Sequence, residues 1–233
     1  MYGATDHGTF SIVACDPERK FWGVAVATKP PSVGAVVPWA QWRVGAIATQ
    51  AMSNYDYGPN GLALLRRGLA ADEVVRRLTR ADPKREHRQL GVVDRKGRAA
   101  AWTGAKCLEH ALHQVGDGYS CQGNLLAAAS VVPAMAGAFE SSRGGLGARL
   151  MLALKAGLRH GGDRRGIASS ALVVVHSERW LPLGSGDRWA DLRVDRHPRP
   201  VAELDRLRRL DEADTRRYLA QRAAAARKRR ARR

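Results

Sequence analysis

The stretch "DHGTFSIVACDPERKFWGVAVATK", residues 6–29, holds two apolar runs separated by a polar turn that a proline opens. "TFSIVACD" and "WGVAVATK" are of strand length, so the pair reads as a β-hairpin. Neither run alternates cleanly between polar and apolar residues. Both faces of these strands are therefore expected to be covered, as in a sheet buried on each side. Thr9 heads the first run, directly after Gly8. It is either an ordinary strand opener or a nucleophile that becomes usable only when Gly8–Thr9 is cut.

Working outward, "RVGAIATQ" (43–50) gives a third strand after a loop containing Pro38, Trp39 and Trp42. "NGLALLRRGL" and "DEVVRRLTRA" place Leu62, Leu65 and Leu69, then Val74, Val75 and Leu78, at helical spacing. Gly68 marks the break between two helices and Asp72 is a cap for the second. "RQLGVVD" and "RAAAWTG", joined by "RKG", form another hairpin, and "YSCQGNLL" is a further short strand or loop. A second helix pair follows at 131–140 and 146–158, then strands at "SSALVVVH" and "WADLRVD". From Pro200, the residues Val201, Leu204, Leu207 and Leu210 mark a final amphipathic helix that runs into a charged tail.

Strands in hairpins, without single crossover helices between them, argue against a parallel α/β fold. The order predicts an α+β chain: a four-layer αββα sandwich of two antiparallel sheets flanked by helix pairs. It occupies one domain, 9–215, with an N-terminal extension at 1–8 and a basic tail at 216–233.

The 233 residues suffice for one domain with a sizeable core. Hydrophobic content of 45% and charged content of 26% are those of a globular chain, and no apolar run reaches the roughly 18 residues of a membrane span. "MYGATDHG" has neither a basic start nor an apolar core, which excludes a secretory signal and makes the cytoplasm the expected location. Three scattered cysteines, Cys15, Cys107 and Cys121, build neither a disulfide framework nor a zinc site and read as small hydrophobes. Of the net charge of +17, the final "RAAAARKRRARR" carries seven basic and no acidic side chains, and the other +10 is spread along the chain. Weak, salt-sensitive attraction of polyanions by this tail is expected, without sequence-specific nucleic-acid recognition. A homodimer is the expected assembly, twofold pairing being the commonest.

A family resemblance rests on "TFSIVACD", "GVAVATK", "VGAVVPWA", "GAIATQA", "YGPNGLALL", "EHRQLGVVD", "AAWTGAKC", "CQGNLLA", "GGDRRGIASSALVVV" and "DLRVDRHPRPVAEL". In this order they resemble the bacterial family called domain of unknown function 1028. That family is similar in fold to the N-terminal nucleophile hydrolases, which include proteasome β subunits. The resemblance implies the layered sandwich, and it supplies no substrate. Its members commonly begin near the position of Thr9, so the eight preceding residues are extra. A basic residue is usual where Cys15 stands, which speaks against a role for that thiol.

In an N-terminal nucleophile hydrolase the first side chain attacks an amide carbonyl and its own α-amine takes the proton. An amine with a pKa near 8 suits that task; a peptide nitrogen does not. Residues 2–8 include no Met, Val, Leu or Ile, so proteolysis is needed to expose Thr9. His7-Gly8-Thr9 is similar to the processing junction of proteasome precursors, where threonine attacks the preceding carbonyl, and glycine suits a tight approach there. Asp163 with Ser169 or Ser170, in "GGDRRGIASS", has the sequence context of the proteasome Asp and Ser that hold the amine. The other reading pairs Asp163 with Arg164 or Arg165 in a structural ion pair.

Lys29, at the end of the second strand, is placed to lower the amine's pKa or stabilise an oxyanion, or is simply a solvated strand end. Thr49, Gln50, Asn54, Gln122 and Asn124 lie in apolar surroundings, where buried amides need partners. Together with Arg164 they are candidates to line a substrate pocket, or they satisfy loop backbone. Glu86 and His87 are adjacent and point different ways. His110 and His113, at helix-like spacing, lack a third ligand, so no metal and no cofactor is expected.

Three functions follow. The first is a hydrolase of amide or other C–N bonds in a small molecule or peptide, with Thr9, Lys29, Asp163 and Ser169 carrying the chemistry. The second is a non-catalytic small-ligand-binding protein on the same fold. The third is a polyanion-associated protein acting through the tail.

Overall fold

A computed structural model describes residues 8–176 and 187–231. In chain order the strands are β1 (Thr9–Asp16), β2 (Phe21–Thr28), β3 (Pro38–Gln41), β4 (Gly45–Ala51), β5 (Arg88–Asp94), β6 (Ala99–Thr103), β7 (Leu112–Gly116), β8 (Tyr119–Asn124), β9 (Ser169–Val175) and β10 (Arg188–Val194). The helices are α1 (Tyr57–Arg66), α2 (Ala71–Ala81), α3 (Val131–Ser141), α4 (Leu146–Arg159) and α5 (Pro200–Ala231). The strands form a six-stranded sheet, β10-β9-β2-β1-β8-β7, and a four-stranded sheet, β3-β4-β5-β6. Every described pairing is antiparallel.

The apolar side chains sort into three layers. Odd residues of β1, Val13 and Cys15, meet Trp22, Val24 and Val26 of β2 and Ala46, Ala48 and Val93 of the other sheet. This is the filling between the sheets. Even residues of β1, Phe10, Ile12 and Ala14, face Met135, Leu150 and Leu154 of α3 and α4, and α5 adds Val201 and Leu204. On the far side Ile47, Leu90 and Val92 pack on Leu65, Val74 and Leu78 of α1 and α2. Sheets covered on both faces explain why the first hairpin lacks alternation, since each fully buried Val, Leu or Phe stabilises the fold by about 2 kcal/mol whichever face it occupies. Trp22 ties the sheets with a polar contact, its indole Nε1 donating to the carbonyl of Asp94 at 3.1 Å.

Three elements differ from the sequence reading. Residues 38–41, expected as loop, form the edge strand β3, where a proline is tolerated because no inner ladder needs its missing N–H. Trp39 on that strand lies flat against α1, and a Cβ on Gly58 would fall 2.2 Å from its ring. His110 and His113 do not share a helix: His110 sits at φ +51° in a bend and His113 is on β7, an edge strand that the helix-like spacing concealed. The last helix continues past residue 215 into the basic tail, 216–233, up to Ala231. Its inner part is anchored by Asp205, which pairs with Lys155 of α4 and with Arg208 at 3.0 Å.

Candidate functional site

Antiparallel partners point to the same face of a sheet. Asn124 pairs with Thr9, Thr9 with Thr28 and Thr28 with Ser169, so one transverse row carries an amide and three hydroxyls on four neighbouring strands. The row faces the gap between the sheets, on the side that Val13 and Val26 fill further along. Thr9 and Thr28 are 6% and 3% exposed. Their hydroxyls are 3.1 Å apart, and Thr9 Oγ1 lies 2.6 Å from the carbonyl oxygen of Gly8. Thr28 Oγ1 also hydrogen-bonds that oxygen, and Arg165 Nη2 donates to it at 3.0 Å. The carbonyl of the Gly8–Thr9 bond is thus the meeting point of two hydroxyls and a guanidinium.

The guanidinium is held by Asp163. Arg165 Nη2 and Nε donate to the two carboxylate oxygens at 2.7 and 3.0 Å, and the backbone N–H groups of Arg165 and Lys29 add bonds of 3.0 and 3.2 Å. Asp163 is 1% exposed. Its loop is stitched to the end of β8 by a bridge to Leu126 and by the bond from Arg164 N to Leu125 O. The same carboxylate leaves no room for a side chain on residue 8, where a Cβ would stand 2.8 Å from Asp163 Oδ1. Only glycine fits there.

Thr9 and Thr28 also form the floor of a cleft of about 270 Å³. Its walls are Pro30, Pro31, Val33, Val36 and Val37 on one side and Ala51, Met52, Ser53 and Tyr55 on the other. None of these lining residues carries a charge. Ser169 shapes the first wall: it donates to the carbonyl of Pro30 at 2.6 Å and accepts from Val33 N at 3.3 Å. The second wall begins at Ala51, whose φ of +66° bends the chain out of β4. It is fixed from behind by Asp82, which accepts from Asn54 Nδ2 and Tyr57 OH at 3.0 Å each and from Arg88 Nε at 2.9 Å, while Arg88 also bonds Met52 O. Burial acts to raise the Asp82 carboxyl, but the bonds from Arg88, Asn54, Lys84 N and Tyr57 outweigh it and bring it down to about 2. The Tyr57 hydroxyl is pushed up by burial and by that carboxylate.

The candidate residues separate accordingly. Thr9, Asp163 and Ser169 lie at or beside the cleft. Lys29 gives its backbone N–H to Asp163 and leaves its side chain exposed. Arg164 points outward to Glu109, and it is Arg165 that carries the cation at the site. Gln50 and Gln122 are wholly buried and turned to one another's neighbours: Ser11 Oγ donates to Gln50 Oε1 at 2.6 Å, Gln122 Nε2 to Ser11 Oγ at 2.7 Å, and Gln50 Nε2 to Gln89 Oε1 at 2.7 Å. Asn124 Nδ2 joins through Gln89 Oε1 at 2.9 Å, while its own Oδ1 is buried without a hydrogen-bond partner among the described residues. Thr49 bonds the carbonyl of Asn54. These amides form a polar layer between the sheets, directly under Thr9, whose carbonyl Gln50 Nε2 contacts at 3.3 Å. Gln89, central to the layer, is a residue that sequence reasoning missed. "RQLGVVD" shows an amide in an apolar strand, the same signal that singled out Gln50 and Gln122.

Burial and the neighbouring Asp94 and Asp16 push the Cys15 thiol up to about 12, burial takes Cys107 to about 11, and burial raises Cys121 far above the ordinary thiol range. At neutral pH all three stay protonated and unreactive. Among the described residues no group of three or more His, Cys, Asp or Glu could hold a metal ion, and no helix is long and apolar enough to cross a membrane.

Two antiparallel sheets between helical layers, with a hydroxyl row and a buried carboxylate–guanidinium pair at one corner, define the structural class. Residues 9–204 match the model of a family of unknown function, DUF1028, and the chain belongs to that family. It is similar to a DUF1028 protein from Silicibacter pomeroyi of known crystal structure, with 33% sequence identity, a TM-score of 0.77, and coverage of 87% of this chain and 88% of the other. No curated protein matches the chain.

Proposed function

We propose that the chain is a hydrolase of C–N bonds in a small molecule or peptide, built on an N-terminal nucleophile sandwich, with Thr9 as the nucleophile once Gly8–Thr9 has been cut. The observation that carries this reading is the Gly8 carbonyl, on which the Thr9 and Thr28 hydroxyls and Arg165 converge. A carbonyl so polarised is primed for attack by the adjacent hydroxyl. Thr9 Oγ1 adds to the Gly8 carbonyl carbon, the C–N bond breaks, and the departing nitrogen takes a proton as an amine. Water then cleaves the resulting ester, releasing the Gly8 carboxylate and restoring the hydroxyl.

In this reading the liberated amine is the base that accepts the Oγ1 proton when a substrate carbonyl is attacked. That proton passes to the leaving amine of the substrate, and water clears the acyl group from Thr9. Asp163 holds the amine; Ser169 acts by fixing the Pro30–Val33 wall. The uncharged cleft favours a neutral, compact acyl group, since a buried charge without a partner is costly. The family match begins at Thr9, the residue that this reading makes the first of the mature chain.

The test is covalent capture. A short-chain alkyl β-lactone, which acylates an N-terminal threonine hydroxyl, is expected to add once to the protein, at Thr9 by peptide mapping, and not to a Thr9→Ala variant. Labelling elsewhere, or none in a preparation that hydrolyses amides, contradicts the reading.

A separate observation supports the polyanion reading of the tail: Arg216, Arg217, Arg222, Arg227 and Lys228 are all exposed on one helix. Retention on heparin that falls with salt, and is lost on deleting residues 216–233, is the expected behaviour.

A further inference from the structure

Lys29 gives only its backbone N–H to the site, and the cation at the Gly8–Thr9 bond belongs to Arg165. From one planar fork Arg165 Nε and Nη2 clasp the carboxylate of Asp163, and Nη2 also contacts Gly8 O at 3.0 Å. The guanidinium is largely buried, with 20% of its side chain exposed, and Asp163 is wholly so, which makes the pair rigid and its field strong. A guanidinium presents its donors in a fixed planar fork, so one side chain can serve a carboxylate and a carbonyl at once.

We propose that Arg165, with the Thr28 hydroxyl, is an oxyanion receptor used twice: first for the Gly8 carbonyl during self-cleavage, then for the carbonyl oxygen of the substrate amide. This rests on the reading of Thr9 as the nucleophile. Both reactions begin with Thr9 Oγ1 adding to a carbonyl carbon, and both place negative charge on the oxygen of that carbonyl. Cleavage removes Gly8 and hands Nη2 and Thr28 Oγ1 back as donors where Gly8 O stood, next to the cleft that Thr9 and Thr28 line. A substrate amide whose apolar acyl group enters between Pro30 and Met52 presents its oxygen at the place Gly8 O has left. In each step the charge on oxygen collapses back to a carbonyl as the C–N bond breaks, and Arg165 neither gains nor loses a proton.

The experiment follows newly synthesised full-length protein by intact mass, comparing wild type with Arg165→Gln and Arg165→Lys, and with Thr9→Ala as the blocked control. Removing one donor from an oxyanion site costs about 100-fold or more in rate. Arg165→Gln is therefore expected to lose residues 1–8 about 100-fold more slowly than wild type. Arg165→Lys keeps a cation opposite Asp163 but not the fork, and is expected to mature about tenfold more slowly. Arg165→Lys protein that has matured on long incubation is then treated with the alkyl β-lactone, and its acylation is expected to be slowed by a similar factor. Thermal melting of Arg165→Lys reports folding, so that a slow rate in a folded variant is chemical. Wild-type rates in both steps for a folded Arg165→Lys and Arg165→Gln overturn the role of Arg165 while leaving Thr9 as nucleophile intact. Slow maturation with unimpaired acylation overturns the second use. A wild-type chain that never loses residues 1–8 brings down the nucleophile reading, and this proposal with it.

Discussion

Phe10 and Gly162 touch so closely that a Cβ on Gly162 would lie 2.8 Å from Phe10 Cε1. Phe10 follows the proposed nucleophile and Gly162 precedes the buried carboxylate, so this contact sets the two halves of the site in register. Gly162 also has φ +56°, which a side chain enters only at a cost. Gly162→Ala is expected to destabilise the fold by about 2 kcal/mol, measured by denaturant unfolding, and to slow loss of residues 1–8. Unaltered stability and maturation would show that the Asp163 loop is not held by this packing.

Thr28 reaches Gly8 O from the neighbouring strand. Thr28→Val keeps the shape and β-branching and removes the hydroxyl, so the sheet is expected to survive with a stability change below about 1.5 kcal/mol. The rate of maturation is expected to fall by about 100-fold. The measurement is the same mass time course, and an unchanged rate would remove Thr28 from the receptor.

The Asp82–Arg88 pair governs the wall of the cleft at Met52, and its behaviour with pH follows from the carboxyl's low folded value. A carboxyl at about 2 when folded and about 3.9 when unfolded favours the fold above the unfolded value. That contribution, about 2 kcal/mol, is complete above about pH 5 and is lost as pH falls through 4 towards 2. Asp82→Asn leaves Arg88 buried without its counter-charge and is expected to lower stability at pH 7 by about 3 kcal/mol, and to flatten the acid limb of the stability–pH curve. Equal acid sensitivity in the variant and the wild type would contradict this assignment.

The polar layer beneath Thr9 depends on a missing side chain. Gly91 of β5 lies under Gln122, where a Cβ would fall 2.3 Å from Oε1. Gly91→Ala is therefore expected to displace Gln122 and break its bonds with Ser11 and Ser120, costing about 3 kcal/mol or more. A melting temperature within a degree of wild type would show that the layer adapts.

Much of the layered fold was legible because the hairpin at 9–28 is apolar on both faces, which only a sheet covered twice can accommodate. The amphipathic spacing of Val74, Val75 and Leu78 likewise placed a helix that the structure contains. Edge elements were harder. β3 opens with a proline and runs four residues, too short for a pattern, and β7, with no fully buried residue, has no apolar alternation to match its alternating exposure. Within the site, Thr9 stood out as a hydroxyl heading an apolar strand, and Asp163 and Ser169 through the resemblance to proteasome subunits. The choice between Arg164 and Arg165 did not: neighbours in a loop have no fixed facing, and only the turn closed by Gly166 N on Asp163 O sends one guanidinium inward and the other to Glu109. Gln50, Gln122 and Asn124 looked the same in sequence whether they faced a ligand or one another, because a buried amide requires a partner in either case.

The most direct measurement is the identity of the first residue of the purified, active protein, read by intact mass and N-terminal sequencing. The account predicts a chain that begins at Thr9, and a Thr9→Ala protein that keeps residues 1–8. Amide-hydrolysing protein in which Gly8 and Thr9 remain joined would contradict it.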